Sequence, residues 1–401
     1  MILFPLFSSI VFLITIYLLT TRKLFSRSLC IIIYAFLSVS WCLLLGFCGD
    51  DMDTYLSFFE KYSFKDFTFY SPLEFSVGLL SSFLKLFLPF FNGKGIANSY
   101  RILVFSLIPL WYIFKTYSSR HSTYLFISFS VFLFLFPYSF LSGANMINNG
   151  LSITFTSYFL IIYVINHFFN PKNNQGFISF DQFLLLFLAS FAHFYGLGLI
   201  FILISSIIGF KILKSSRLFY FGTRFPNLIN ATLFAFPFFC AAPLLGVSFL
   251  NYTSKDNTVL LSASILFACL VVSGLNMRLI FKISNQDQSF FSKNFLNNIS
   301  LMWLCIIGIS LFAITLGLLG GGAAAERFIG SFIGYNLLFS LTLFLISTSF
   351  LSNYSKSDLS PIHINKFSLT RSILLGLFII FSLNLYFYNS KAFFANVGNT
   401  C

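Results

Sequence analysis

Long apolar runs separated by short polar segments dominate the pattern of the chain. Charge-poor runs occupy 1–19, 28–47, 123–141, 150–168, 228–250, 258–277, 299–319 and 331–351, and Arg101 and Arg371 flank two more at 102–114 and 372–388. An α-helix rises ~1.5 Å per residue, so about 20 residues cross the ~30 Å hydrocarbon core of a bilayer. The runs therefore predict membrane-spanning helices, and an arginine at the end of a run can extend its side chain to the interface.

Two further apolar segments allow more than one course. Residues 73–91 carry small and polar residues at helical spacing on one face (Glu74, Gly78, Ser81, Ser82 and Lys85), which favours a helix in the membrane interface over a short span. Residues 183–210 have no formal charge but contain His193. This second segment predicts either one tilted span or a hairpin of two shorter helices that turn near His193.

The basic residues predict which side of the membrane each loop occupies. The chain has 24 Lys and Arg against 11 Asp and Glu, and cytoplasmic loops of membrane proteins are enriched in Lys and Arg. Basic clusters at 22–27, 211–224 and 278–293 therefore indicate cytoplasmic loops, whereas nucleic-acid binding is disfavoured because no basic run alternates with exposed aromatics. The distribution of charge fits both possible topologies of the ambiguous segments. Both topologies place residues 48–72 on the external side of the membrane.

The composition excludes a soluble globular domain. Hydrophobic residues make up 58% of the chain and charged residues 9%, against about a quarter charged in soluble proteins. We therefore predict an all-α fold: one integral membrane domain over 1–401, a polytopic bundle of about 12 membrane helices with an external interfacial helix. Within it, 48–98 is an external acidic loop with an amphipathic helix, and 183–210 a possible hairpin.

The acidic residues and one histidine are the candidates for chemistry. Six of the eleven acids follow the second apolar run, namely Asp50, Asp51, Asp53, Glu60, Asp66 and Glu74. They indicate either a solvated external loop or a carboxylate that acts as a base or cation site. His193 alone among the histidines lies deep in an apolar run, where a structural hydrogen bond and a functional role are both open. Because no metal-ligand spacing, Walker loop or nucleophile elbow occurs, we predict no metal and no cofactor.

Several short motifs, in order, resemble one known family. The segment Gly49-Asp50-Asp51-Met52-Asp53-Thr54-Tyr55 resembles the Gly-x-Asp-x-x-x-Tyr signature of EpsG-type Wzy proteins, and Glu74 is similar in placement to a glutamate downstream of it. Residues 147–152 resemble the family's Ile-Arg-Gln-Gly segment, with Asn148 where arginine is usual. Residues 191–194 resemble its Leu-Phe-His segment, and 326–328 its late external arginine. Together these motifs cover roughly residues 45 to 335.

The resemblance implies a polymerase of O-antigen, capsule or exopolysaccharide repeat units in the bacterial cytoplasmic membrane, with its site open to the periplasm. The implied substrates are undecaprenyl-diphosphate-linked oligosaccharides, and the implied partners are membrane lipids, a chain-length regulator and a flippase, with no nucleic acid. Asp51 or His193 would be the catalytic base. The substrate-binding candidates are Arg327, Arg101, Tyr55, Asn148, Glu74 and Glu326. A single site needs these residues to converge, which favours the hairpin course for 183–210.

Two other classes of protein stay open. A lipid-linked oligosaccharide flippase or another carrier is expected to have two similar halves and charged residues along a central cavity, whereas this chain has no repeat and its acids lie in one loop. A different membrane enzyme, such as an acyltransferase or a lipid-to-sugar glycosyltransferase, has no sequence feature against it.

Overall fold

The described part of the chain is built from helices and the turns between them. The computed structural model describes residues 24–44, 75–135, 147–169 and 179–192, and single helical positions at 10, 11, 14, 56, 57, 59, 60, 270, 271, 273, 274, 277, 280 and 303. The α-helices are α1 (Arg27–Leu44), α2 (Phe75–Phe87), α3 (Gly93–Ile102), α4 (Ile108–Phe114), α5 (Ser119–Leu135), α6 (Ile147–Phe169) and α7 (Phe180–Ser190). No strand occurs among these residues, so the all-α prediction is confirmed for the described part.

The described residues belong to two compact units. Those up to Ala192 lie in the first unit, and positions 270 to 303 lie in the second. In the second unit the indole N–H of Trp303 donates to the hydroxyl of Ser273 at 3.0 Å, and that hydroxyl donates to the carbonyl of Leu270 at 2.8 Å. All seven helices belong to the first unit and are described below.

One helix is longer than the sequence pattern predicts. The apolar run starts at 102, but the helix begins at Gly93, where the side chain of Asn92 accepts a hydrogen bond from the backbone N–H of Gly95 at 2.9 Å. Polar residues in these first turns hide the helix from a hydropathy profile. From Gly93 to Phe114 the helix is, by length and composition, apolar enough to cross a membrane. Arg101, expected at the edge of a span, therefore lies inside a helix.

A π-helical segment, Leu103–Leu107, interrupts this long helix between α3 and α4. Such a segment changes the hydrogen-bond register and leaves carbonyl groups in need of other donors. The Tyr34 hydroxyl on α1 donates to the Phe105 carbonyl at 2.9 Å, and the Tyr158 hydroxyl on α6 donates to the Val104 carbonyl at 3.1 Å. Two flanking helices are thus held to the π segment through its own backbone.

The π segment also keeps one face of the long helix buried. Its buried residues recur every four positions, at Ala97, Arg101, Phe105, Pro109 and Ile113. In a regular α-helix each four-residue step overshoots a full turn by ~40°, so four steps would carry the stripe ~160° around the helix. The wider π turn corrects this drift, and the same stripe stays in contact with its neighbours.

Aromatic rings fill the space among α1, α5 and α6. Phe129 on α5 lies between the two tyrosines, with ring centroids 6.3 Å from Tyr34 and 5.3 Å from Tyr158. Phe126 and Phe132 pack edge-to-face on Tyr34 and Tyr158 respectively. Edge-to-face pairs add to the stabilisation from buried area, and here they fix the orientation of both donating hydroxyls.

The helices bury many small polar side chains among the apolar ones of the core, and they also expose large apolar side chains. The hydroxyls of Ser38 on α1 and Ser106 in the π segment hydrogen-bond to each other at 2.8 Å. Buried serines and threonines occur on several helices, among them Ser76, Ser81, Ser82, Ser122, Thr123, Ser128, Ser152, Thr156 and Ser190. Large exposed apolar residues include Ile32, Phe36, Leu43, Phe83, Leu86, Phe87, Trp111, Phe114, Phe180 and Phe183.

Helix α2 also buries small and polar residues and exposes large apolar ones. Three of the residues that indicated an interfacial helix, Gly78, Ser81 and Ser82, are buried, while Phe83 and Phe87 pack edge-to-face on the exposed side. The polar stripe of α2 therefore packs against protein.

Hydrogen bonds join the start of α1 to the connection between α4 and α5. The Arg27 guanidinium donates to the carbonyl of Thr116 at 3.0 Å and lies over the Phe114 ring, 5.6 Å from its centroid. The Phe25 backbone N–H donates to the Thr123 hydroxyl at 3.1 Å. Residues 25–27 and 114–123 therefore lie at the same end of the helix cluster.

Two further pairs join α6 and α7 to that end. Lys115 forms an ion pair with Asp181 of α7, and the Nε2 atom of His121 lies 2.9 Å from the Asn166 side-chain oxygen on α6. His121 is in the first turn of α5 and buried. Burial lowers the pKa of His121 to about 4, the hydrogen bond to Asn166 opposing the shift, so the ring is neutral at pH 7.

The apolar segment at 183–210 does not continue as a single helix. A capping box of Ser179 and Gln182 starts α7, which ends at Ser190, and Phe191 and Ala192 form a turn. This helix end is the described part of the segment, and its predicted continuation through His193, as a tilted span or a hairpin, lies outside the described residues.

Removing one tyrosine hydroxyl tests the role of the π segment. Tyr34→Phe leaves the Phe105 carbonyl without its donor in a buried site, and we expect a loss of about 1 kcal/mol in unfolding free energy. Thermal unfolding in detergent measures it, with Tyr117→Phe at an 89%-exposed position as the control. Equal stability of the two variants would contradict this role.

Candidate functional site

Arg101 is the centre of the candidate site. Among the charged side chains that the structure describes, it alone is buried, with 2% of its surface exposed. Its guanidinium lies 3.4 Å from the Asn98 side-chain oxygen. A buried guanidinium is costly unless partners compensate for the lost hydration, so burial of this kind marks candidate functional residues in apolar helices.

The end of α1 supplies a second hydrogen-bond donor beside this arginine. Trp41 is 3% exposed, and its ring packs edge-to-face on Phe105 with centroids 5.2 Å apart. Phe105 is four residues after Arg101, so the two lie on one face of the helix. The indole N–H of Trp41 has no hydrogen-bond partner among the residues that the structure describes. This part of the protein therefore offers donor groups around a buried positive charge.

The acidic segment approaches the same helix from its N-terminal side. The Phe59 ring is 5.7 Å from the Tyr100 ring, and Lys85 donates a hydrogen bond to the Glu60 carbonyl. The acidic segment and α3 come closest at Gly93. A Cβ atom there would lie 2.6 Å from the Leu56 carbonyl oxygen, closer than van der Waals contact allows. Residues 56–60, which directly follow the Gly-x-Asp motif, therefore pack against the first turns of α3.

The other end of α2 contacts α7. The Ser76 hydroxyl donates to the Leu188 carbonyl at 2.7 Å, and the Ser76 backbone N–H donates to the Phe191 carbonyl at 3.2 Å. Ser76 is two residues after Glu74, and Phe191 is two residues before His193. These bonds join the two stretches of chain on which these candidates stand.

Most of the other predicted site residues lie outside the described residues. This holds for Asp51, Tyr55, Glu74, His193, Glu326 and Arg327. The backbone of Asn148 lies in the first turn of α6, which begins at Ile147, and its side chain is outside the described part. Arg101 is the predicted site residue whose side chain the structure describes.

Comparison with known proteins finds no matching family model, no similar curated protein and no similar solved structure. Function is therefore inferred from the motifs and from the geometry of the described residues.

Sequence reasoning missed several residues that shape this site. Trp41, Tyr34 and Tyr158 stand in apolar runs, where aromatic residues are typical in this Phe-rich chain and carry no signal of a special role. Gly93 stands beside Lys94 and Gly95 in a segment that reads as a loop. The Asn92 cap was the available signal, because asparagine before a helix commonly caps its first turn.

Gly93→Ala tests the contact between the acidic segment and α3. The added methyl group would meet a backbone carbonyl that cannot rotate away, so we expect residues 56–60 to be displaced and the protein to lose 1–3 kcal/mol (roughly the cost of overpacking). Gly95→Ala is the matched control, because its Cβ would meet only the Phe91 side chain, at 3.0 Å. Thermal unfolding and limited proteolysis measure both, and equal effects would count against the contact.

Proposed function

We propose that this chain is a polytopic membrane glycosyltransferase that polymerises lipid-diphosphate-linked oligosaccharides at the external face of the cytoplasmic membrane. The observation that carries the proposal is the burial of Arg101 in an apolar helix beside a π segment. A diphosphate bears charge that a guanidinium can bind through two parallel hydrogen bonds. The order of the Wzy-like motifs supports the same substrate class.

The distribution of side chains supports a membrane location. Large apolar side chains such as Ile32, Phe36 and Trp111 face outward, and serines and threonines face inward. Membrane helices pack through small and polar residues because lipid offers no hydrophobic driving force for association. In a soluble bundle the exposed face would instead be polar and charged.

Contacts at one end of the helices favour one of the two topologies. If 73–91 crossed the membrane fully, Arg27 and Thr116 would stand on opposite sides, yet they are hydrogen-bonded at 3.0 Å. A helix of 13 residues is also only ~20 Å long, short of the ~30 Å hydrocarbon core. In the topology with α2 on the external side, residues 25–27, 115–121 and 181 are all cytoplasmic. Residues 48–72 and the Asn145–Asn149 loop are then external.

The reaction needs a base and a cation in this external site. A hydroxyl of the acceptor sugar attacks the anomeric carbon of the donor, a new C–O bond forms, and the bond to the lipid diphosphate breaks. The hydroxyl proton passes to a base, for which Asp51 and His193 are the candidates. The departing diphosphate gains charge that Arg101 and Arg327 stabilise. Tyr55, Asn148, Glu74 and Glu326 complete the proposed sugar and diphosphate contacts.

Cysteine labelling tests the topology. In a variant without the seven native cysteines, we expect Lys94→Cys to react with a membrane-impermeant reagent in intact spheroplasts. Tyr117→Cys should react only after lysis; Lys94 and Tyr117 are both exposed in the structure, so protection reports the side of the membrane. The reverse pattern of labelling would support a full crossing by 73–91 and contradict the proposed topology.

Arg101→Lys tests the function itself. Lysine keeps the charge but loses the planar pair of donors, so we expect polymer in a complemented deletion strain to fall by about tenfold or more. The surface glycan ladder and the protein level are the measurements, with Arg120→Lys as the control.

The deletion strain should carry single repeat units on its lipid core. A deletion strain without any repeat units would favour a flippase, and a full ladder in Arg101→Lys would count against diphosphate binding by Arg101.

A further inference from the structure

Trp41 combines deep burial with an N–H group that finds no acceptor among the described residues. An unpaired buried donor costs free energy, and native proteins rarely retain one unless another partner supplies the acceptor. The Trp41 ring cannot easily turn to find one, because Phe105 holds it edge-to-face at 5.2 Å. Phe105 is itself fixed through its carbonyl by Tyr34.

The surroundings of Trp41 favour an anion as the missing partner. The Trp41 ring packs on Phe105, which stands four residues after Arg101, so the end of α1 lies beside the part of the helix that carries the buried charge. An indole N–H is a donor only, with no acceptor capacity. A ligand that accepts a hydrogen bond from it beside a guanidinium must offer acceptor oxygens, and negative charge favours its binding.

We propose that the Trp41 indole N–H donates a hydrogen bond to a phosphate oxygen of the prenyl diphosphate group that Arg101 binds, which makes Trp41 a substrate-binding residue. This inference rests on the proposed function and adds to it a residue that determines affinity for the diphosphate. Trp41 binds the headgroup, while its ring packing on Phe105 orients the N–H.

The test is binding of farnesyl diphosphate to the purified full-length protein in lipid nanodiscs. Trp41→Phe should raise the Kd by about tenfold or more, since a hydrogen bond to a charged oxygen is lost. The unfolding temperature without ligand should change only through the smaller ring, because no hydrogen bond within the protein is lost. The matched control is Trp111→Phe, an exposed tryptophan whose ring also neighbours a phenylalanine and whose loss should leave the Kd unchanged.

A second variant guards against a packing defect in Trp41→Phe. Replacement of Trp41 by benzothienylalanine, which has sulfur in place of the indole N–H, keeps the shape of the ring and should raise the Kd equally. An unchanged Kd in this variant overturns the assignment, and a lower unfolding temperature without ligand would then identify a hydrogen bond within the protein. If the wild-type protein does not bind farnesyl diphosphate, the proposed diphosphate site is overturned and the assignment of Trp41 falls with it. If the wild-type protein binds it and the Trp41 variants bind it equally well, only the assignment of Trp41 fails.

Discussion

Two hydrogen bonds from tyrosine hydroxyls to a π-helical backbone hold the described helices in register. The carbonyls of Val104 and Phe105 would otherwise be buried without donors, in surroundings where water does not replace them. Tyr158 and Tyr34 come from different helices, so satisfying the π segment also joins α6 and α1 to the long central helix. The position of Arg101 depends on this arrangement, because the π turn keeps the arginine on the same face as Phe105 and Pro109.

The burial of a guanidinium and the exposure of large apolar side chains have one physical cause in a membrane setting. A charge in contact with lipid is costly, so the charge lies in the protein interior, where the Asn98 side-chain oxygen is 3.4 Å from it. A serine hydroxyl in contact with lipid is also costly, although less so than a charge. The hydroxyls of Ser38 and Ser106 lie inside the helix cluster and hydrogen-bond to each other. Apolar side chains lose nothing by facing lipid. The central position of Arg101 therefore follows from the same rule that gives α2 its inward polar stripe.

Sequence patterns predict the helices of this protein better than their contacts. Helices α1, α5 and α6 lie where runs of apolar residues predict them, because a run long enough to span the bilayer has few alternatives to a helix. The first turns of α3 were missed because residues 93–101 are polar, and hydropathy cannot distinguish a polar helix from a loop. Pro109, which has no N–H to donate, signals an interruption of this helix, but a π segment there also depends on donors from two distant helices, which no local pattern shows. For the same reason the sequence selects Arg101 as a candidate but does not identify Trp41 beside it.

Helix α2 determines how far apart the two halves of the proposed site stand. Its start is bonded to the end of α7 through Ser76, and Lys85 near its end is bonded to the segment that follows the Gly-x-Asp motif. Nine residues of helix separate Ser76 from Lys85, a distance of ~14 Å at ~1.5 Å per residue. These two stretches lead to the alternative bases of the proposed reaction, Asp51 and His193. Because the hydroxyl proton passes to a base within hydrogen-bond reach, a rigid helix that separates the two stretches favours one of these residues as the base, with the other in a different role.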